Sequence, residues 1–193
     1  MHNVPNAPSR WPRAVALASA LLIALTACGD DPFAYDWSDA PDTVLVYSLS
    51  RPELNLPSGF NFLQGRPIRV EDLSSTGEWD AVVDTRDGEI VLLPPGAFGI
   101  VTTARITTLE GMQLEDVRSA PSDTTVYVEA DPVPVRSGNV YVVKTNRSSG
   151  SFGSSCVYYA KLEAVDIDAD AGRLTFRYVT NPICNSLDLV PPD

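Results

Sequence analysis

Three aspartates alternate along the stretch DIDADAG, which spans residues 166–172 and ends in glycine. Carboxylate oxygens are ligands for calcium, but an EF-hand loop also requires glycine at its sixth position and glutamate at its twelfth. This chain has Ala171 and Arg177 at those positions. Along an extended strand, side chains two residues apart are separated by about 6.6–6.8 Å, too far to share one ion. We therefore interpret the aspartates as turn and surface residues and expect no metal site.

Few other residues suit catalysis. The only histidine, His2, lies in a predicted signal peptide, so the processed chain lacks an imidazole base and a histidine ligand for zinc or haem. The motif VVDTR at residues 82–86 resembles the Asp-Thr-Gly of aspartic proteases, but Arg86 replaces the glycine and the chain has a single copy. We expect no catalytic residues, no cofactor and no enzyme activity.

The N-terminal segment is typical of a secretory signal. Residues 1–13 are polar with two arginines and no acid, and residues 14–27 are uninterrupted apolar or small side chains. Such a run is shorter than the ~20 residues that cross a bilayer core and suits a signal peptide. It ends in Leu-Thr-Ala-Cys, which resembles the lipobox of bacterial lipoproteins. In that family the cysteine, here Cys28, is lipidated and becomes the first residue; the alternative is an ordinary signal peptide with a chance cysteine.

The residues after Cys28 predict where the protein is held. In enterobacterial lipoproteins an aspartate directly after the cysteine retains the protein at the inner membrane, whereas this chain has Gly29 there. We therefore expect an outer-membrane lipid anchor, with the domain facing the periplasm or the cell surface. Residues 29–42 are acidic and interrupted by prolines, which is typical of a tether. We assign residues 1–27 to the signal peptide, 28–42 to the lipidated cysteine and tether, and 43–193 to one domain.

The processed chain is strongly acidic. Cleavage before Cys28 leaves 166 residues with 12 basic and 25 acidic side chains, a net charge of −13. Such a surface repels nucleic acid phosphates and anionic headgroups. We therefore exclude nucleic acid as a partner and expect the membrane to be contacted through the lipid alone.

From residue 43 onward the chain consists of short runs of β-branched and aromatic residues separated by turn clusters such as RDG, PPG and RSSGSFGSS. No segment has ten or more residues of clean helical spacing, although EGMQLEDV suits one helical turn. We predict an all-β fold, a single antiparallel β domain arranged as a sandwich or meander. The predicted strands are TVLVYSL, RPIRVE, EWDAVVDT, EIVLL, FGIVTTARITTL, TTVYVEA, NVYVVKT, CVYYAKLEAV and RLTFRYVT.

Two cysteines, Cys156 and Cys184, are equidistant from residue 170. A hairpin that turns there places them opposite each other and pairs Leu162 with Tyr178. Even-numbered positions then form a largely apolar face and odd-numbered positions a charged one. Because an exported chain folds in an oxidising compartment, we expect a Cys156–Cys184 disulfide rather than two free thiols.

Several stretches resemble the HmuY-like family of bacterial surface lipoproteins, namely EWDAVVDTRDGEI, LEDVRSAPSD, NVYVVKTNRSSG and YYAKLEAVDIDADAGRLTFRY, within residues 78–180. The family has a Trp-Asp strand, a Tyr-Val-Val-Lys-Thr strand, and a Tyr-Ala-Lys-Leu strand with a closing Phe-x-Tyr strand. The resemblance implies an all-β fold and an envelope location. Founding members capture haem through two histidines, which this chain lacks, so Tyr158 or Tyr159 would be the ligand. Tyr158 is an even-numbered position of the predicted hairpin, which instead favours a place for it on the apolar face, in the core.

Two classes of function remain after these exclusions. The first is a non-catalytic lipoprotein with a pocket for a small molecule, of the HmuY-like type but without histidine haem ligation. The second is a structural or adaptor protein in an envelope complex. A well-formed cleft would favour the first class and a flat, exposed strand edge the second.

Overall fold

The computed structural model describes residues 37–150 and 153–192, where the regular structure is almost entirely antiparallel β. The predicted signal peptide, Cys28 and most of the predicted tether lie outside the described residues. Ten of the strands form two five-stranded sheets. The first sheet contains, in spatial order, β1 (Asp42–Tyr47), β12 (Arg173–Thr180), β11 (Tyr159–Asp168), β8 (Asn139–Lys144) and β6 (Arg105–Glu110).

The second sheet contains, in spatial order, β3 (Arg66–Ile68), β2 (Gly59–Asn61), β4 (Ala81–Arg86), β5 (Glu89–Leu93) and β7 (Val133–Pro134). A separate two-stranded ribbon joins β9 (Ser148–Ser149) to β10 (Ser155–Cys156). Short 3-10 turns include Leu73–Ser75, Pro95–Phe98, Leu114–Asp116 and Thr124–Val126. None of the helices in the described ranges is long and apolar enough to cross a membrane.

The two sheets pack face to face as a sandwich, which resolves the predicted choice between sandwich and meander. Apolar side chains alternate along each strand, so one face of each sheet lines a shared core. The aromatic rings of Phe60 and Phe176 meet edge to face in this core, with centroids 5.3 Å apart. Other core members are Val46, Phe62, Ala81, Val83, Ile90, Leu92, Ile106, Tyr141, Val143, Ala160, Leu162 and Leu174.

The outer face of the first sheet is also covered. Leu114, Val117 and Leu189 pack on Val140 and Val142 in a second buried cluster. The covering segment is held by backbone bonds such as those from Ala120 to Leu187, 2.7 Å, and from Leu189 to Arg118, 2.8 Å. This cover over the first sheet matters for function because it forms one wall of the pocket described below. The outer face of the second sheet carries a smaller cluster around Trp79.

The hairpin of β11 and β12 has the predicted register. Leu162 pairs with Tyr178, and a disulfide joins Cys156 to Cys184 with their Cα atoms 5.1 Å apart. The turn ends at Gly172, whose φ of 58° is in the left-handed region and where a side chain would meet Arg51. One feature was not predicted: the register shifts between Ala164 and Asp166, so that a bulge leaves Val165 exposed.

The predicted strand TTVYVEA was wrong for most of its length. Thr124–Val126 forms a 3-10 turn whose N-cap, Asp123, accepts a hydrogen bond from the Thr125 amide. Only Val128 pairs with the first sheet, through an isolated bridge to Ile106. A side-chain oxygen that caps a turn competes with strand pairing, which explains the difference. The short strands β2 and β7 were missed because three or two residues are too few for an alternating pattern.

Candidate ligand-binding site

Three polar side chains lie side by side across neighbouring strands of the first sheet. Lys144 on β8 pairs directly with Arg105 on β6 and with Tyr159 on β11. Directly paired residues project from the same face of a sheet. The register of three strands therefore brings a guanidinium, an ammonium and a phenol together on the outer face.

Arg105 and Lys144 form a like-charge pair, an arrangement that destabilises a sheet. The guanidinium of Arg105 is partly neutralised by Glu129, 2.8 Å away, and its Nη1 donates to the carbonyls of Thr102 and Ala104. Within the described part of the chain, the Lys144 ammonium has neither a carboxylate partner nor a hydrogen-bond acceptor. The row therefore carries an uncompensated positive charge.

The segment that covers the outer face closes over this row and forms a pocket of about 290 Å³. Tyr127 is positioned by the bridge between Val128 and Ile106, which holds the segment against the edge of β6. Tyr127, Tyr159 and Lys144 are each at least partly buried. We call this site the basic pocket; its lining residues are Thr103, Arg105, Pro121, Thr124, Tyr127, Lys144 and Tyr159.

The two tyrosines of the basic pocket differ in their hydrogen bonding. The Tyr127 hydroxyl donates to the Pro121 carbonyl, 3.0 Å away. The Tyr159 hydroxyl has no partner among the described residues. Burial raises the pKa of Tyr159, and burial followed by the proximity of Tyr159 raises the pKa of Tyr127. Both phenols are therefore neutral at physiological pH, and Tyr159 retains a free proton to donate.

A further cation, Lys161, lies two residues from Tyr159 on the same face of β11. Its side chain is only 3 % exposed, and Nζ donates to the Val117 carbonyl at 2.9 Å. Burial lowers the pKa of Lys161, while the nearby carboxylates of Glu115 and Asp39 oppose this effect. Lys161 therefore fastens the covering segment to the sheet.

The structure separates the two tyrosines that the sequence proposed as ligands. Tyr159 lines the basic pocket, whereas Tyr158 is absent from its lining. The expected core position of Tyr158 was wrong: it is half-buried and lies outside the clusters of buried residues. Its amide instead donates to the Thr145 hydroxyl at 2.9 Å, which ends the regular pairing of β11 just before Tyr159.

The aspartates of DIDADAG belong to the hairpin turn. Asp168 accepts hydrogen bonds from the Ala171 amide, 2.8 Å away, and from Arg173. The hydrogen bond from Arg173 is the main reason that the pKa of Asp168 is lowered. Across residues 37–150 and 153–192, no three His, Cys, Asp or Glu side chains gather as a set of metal ligands.

The aspartate of VVDTR, Asp84, has a structural role. Asp84 accepts hydrogen bonds from the hydroxyl and amide of Ser50 and from the Thr85 amide, and it pairs with Arg86 at 2.6 Å. Burial on its own would raise the pKa of Asp84, but these donors and Arg86 outweigh burial and lower it. The adjacent cleft of about 540 Å³ contains Arg51, which is paired with Glu53. This larger cleft also contains Asp170, so unlike the basic pocket it has no excess of positive charge.

Sequence reasoning missed Arg105, Lys144 and Tyr127 as site residues. Each predicted strand contained its residue, but nothing in the sequence states that β6, β8 and β11 are neighbours. An observable signal was the scarcity of lysine, since the chain has two lysines and both fall on predicted strands. Comparisons with family models, curated proteins and solved structures find no match to this chain.

Proposed function

We propose that this protein is a non-catalytic, lipid-anchored lipoprotein of the bacterial outer membrane that captures a small molecule in the basic pocket. The observation that carries the proposal is the row of Arg105, Lys144 and Tyr159, which places like charges opposite each other. Like charges directly opposite on neighbouring strands break the usual preference for opposite charges, and such local exceptions are typical of functional sites. The sequence resemblance to the HmuY-like family and the lipobox at Cys28 support the envelope role.

The side chains available support a binding role without catalysis. The single histidine, His2, precedes the predicted cleavage site. Asp84, the carboxylate of the protease-like motif, is held charged by its donors and is a poor general base. The basic pocket itself is lined by cations, hydroxyls and a proline, and within the described residues none of its hydroxyls donates to a carboxylate or an amine.

We do not extend the proposal to haem. The pocket volume of about 290 Å³ is at the lower limit of ligand pockets, which range over ~300–1,000 Å³. Iron ligation by tyrosine requires a phenolate, and burial of Tyr159 disfavours that charged form. A smaller molecule suits the pocket better.

An adaptor role remains the second candidate because of one feature. β1 is an edge strand of the first sheet, and its Leu45 side chain is 38 % exposed. An exposed edge strand with an apolar side chain is a template for pairing with another chain. In this alternative the protein would hold an envelope partner at β1.

One experiment separates the two roles. Protein purified from its own membrane is examined by native mass spectrometry, as wild type and as Thr124→Trp, which fills the mouth of the basic pocket. Thr125→Trp is the matched control, because Thr125 is exposed in the same 3-10 turn but does not line the pocket. We expect a small molecule on the wild type and on the control and none on Thr124→Trp. A retained protein and no small molecule would favour the adaptor role instead.

A further inference from the structure

The basic pocket offers hydrogen-bond donors in excess of acceptors. The Lys144 ammonium and the Tyr159 hydroxyl have no acceptor within the described ranges. The hydroxyls of Tyr127 and Thr103 already donate to carbonyls, of Pro121 and Thr145 respectively. Glu129, the carboxylate that pairs with Arg105, is 62 % exposed. Both donors reach solvent, so a ligand that displaces this solvent must supply acceptors in its place.

The charge of the pocket is opposite to that of the protein. The chain carries 25 acidic and 14 basic residues, yet Arg105, Lys144 and Lys161 project from one face of three adjacent strands. Exposed charges farther away than about 8 Å are largely screened at physiological ionic strength. Exposed acidic residues beyond that distance therefore have little influence on the pocket, and the local cations determine what is held there.

The walls of the pocket limit the shape of the ligand. Two phenol rings, Tyr127 and Tyr159, and the ring of Pro121 line it, and its volume is about 290 Å³. Aromatic walls favour a flat, apolar body. The two free donors are neighbours, since Lys144 pairs directly with Tyr159 across the strands.

We propose that the ligand of the basic pocket is a small organic anion, with its carboxylate or phosphate oxygens on Lys144 and Tyr159 and its apolar body between the tyrosines. This inference rests on the proposed function, since it specifies the ligand of that same pocket. A charge-assisted hydrogen bond is stronger than a neutral one, so the anionic group determines selectivity. Lys144 is the selectivity residue, and Tyr159 orients the anion through its free proton.

The test uses the mature lipoprotein in detergent, titrated calorimetrically with benzoate, with its neutral analogue benzamide and with phenyl phosphate. We expect the anions to bind at least about tenfold more tightly than benzamide. Lys144→Gln should weaken benzoate binding by about tenfold or more and leave benzamide binding unchanged. Tighter binding of phenyl phosphate than benzoate would support the proposal and identify the anion as a phosphate ester.

The matched control is Arg147→Gln, which removes one positive charge from an exposed residue outside the pocket lining. It should leave benzoate binding within about twofold of the wild type, because exposed charges are screened. Equal binding of benzoate and benzamide would overturn the anion inference and leave the pocket role intact. The same holds if Lys144→Gln and Arg147→Gln lose equal affinity for benzoate. If no probe binds and native material also carries no small molecule, the proposed function itself fails.

Discussion

Asp80 is a buried carboxylate that joins the two sheets. It is 1 % exposed and accepts hydrogen bonds from the amides of Phe62, at 2.9 Å, and Asn146, at 2.6 Å. Phe62 follows β2 of the second sheet, and Asn146 follows β8 of the first. Burial raises the pKa of Asp80 from its usual 3.8 to about 6, although both amides favour the charged form. Asp80 therefore keeps its proton to a higher pH in the folded protein than in the unfolded chain.

This burial predicts a pH dependence with a defined sign. Between pH 3.8 and about 6, folded Asp80 keeps a proton that the unfolded chain has released, so the free energy of unfolding falls as pH rises. The full change for a shift of that size is roughly 3 kcal/mol, and it levels off above the folded pKa. Chemical denaturation at a series of pH values should show this slope in the wild type and a weaker slope in Asp80→Asn.

The exposed residue Asp116 provides the control, since Asp116→Asn should keep the wild-type slope. Carboxyls with lowered pKa values, such as Asp84 and Asp168, have the opposite effect at lower pH: the free energy of unfolding rises as pH rises. The difference between the wild-type and Asp80→Asn curves isolates Asp80 from them. Parallel curves for these two proteins would show that Asp80 does not titrate in this range.

At the scale of elements, the hairpin of β11 and β12 is closed by the Cys156–Cys184 disulfide. The sequence separation is 28 residues, and cross-linking a loop of this length contributes roughly 3–4 kcal/mol on the chain-entropy model. Reduction should therefore lower the free energy of unfolding by about that amount, measured in urea with and without reductant. The double variant Cys156→Ala, Cys184→Ala should be less stable and insensitive to reductant. Two alkylatable thiols in the oxidised native protein would contradict the bond.

The same hairpin shows what could be predicted from sequence. Its register was correct from Ala160 to Ala164 because two cysteines, a turn and an alternating pattern are all local to one segment. The bulge at Val165 was missed because an apolar residue at one odd-numbered position breaks the alternation without revealing that the residue is unpaired. The row of Arg105, Lys144 and Tyr159 was missed for a different reason. It depends on three strands that are distant in sequence, and single-strand patterns do not encode which strands are neighbours.

At the scale of the whole molecule, the proposed anchor at Cys28 makes a clear prediction. Two or more acyl chains hold a protein stably on a bilayer, where one chain does not. Wild-type protein should therefore be recovered in the membrane fraction with a lipid-modified Cys28 as its first residue. Cys28→Ser should be released or remain uncleaved, as seen by fractionation and intact mass. Equal membrane association of the two proteins, with a wild-type mass that shows no lipid on Cys28, would contradict the anchor.

Because lysine is scarce in this chain, amine-reactive chemistry can be directed to the basic pocket. Beyond the predicted cleavage site the chain has two primary side-chain amines, and the one on Lys161 is buried against the Val117 carbonyl. Amine-reactive reagents should therefore modify Lys144 first, at the pocket itself. A fluorophore attached in this way would report ligand entry directly. Coupling the protein to a sensor chip through its amines would, by the same chemistry, block the pocket that the sensor was meant to examine.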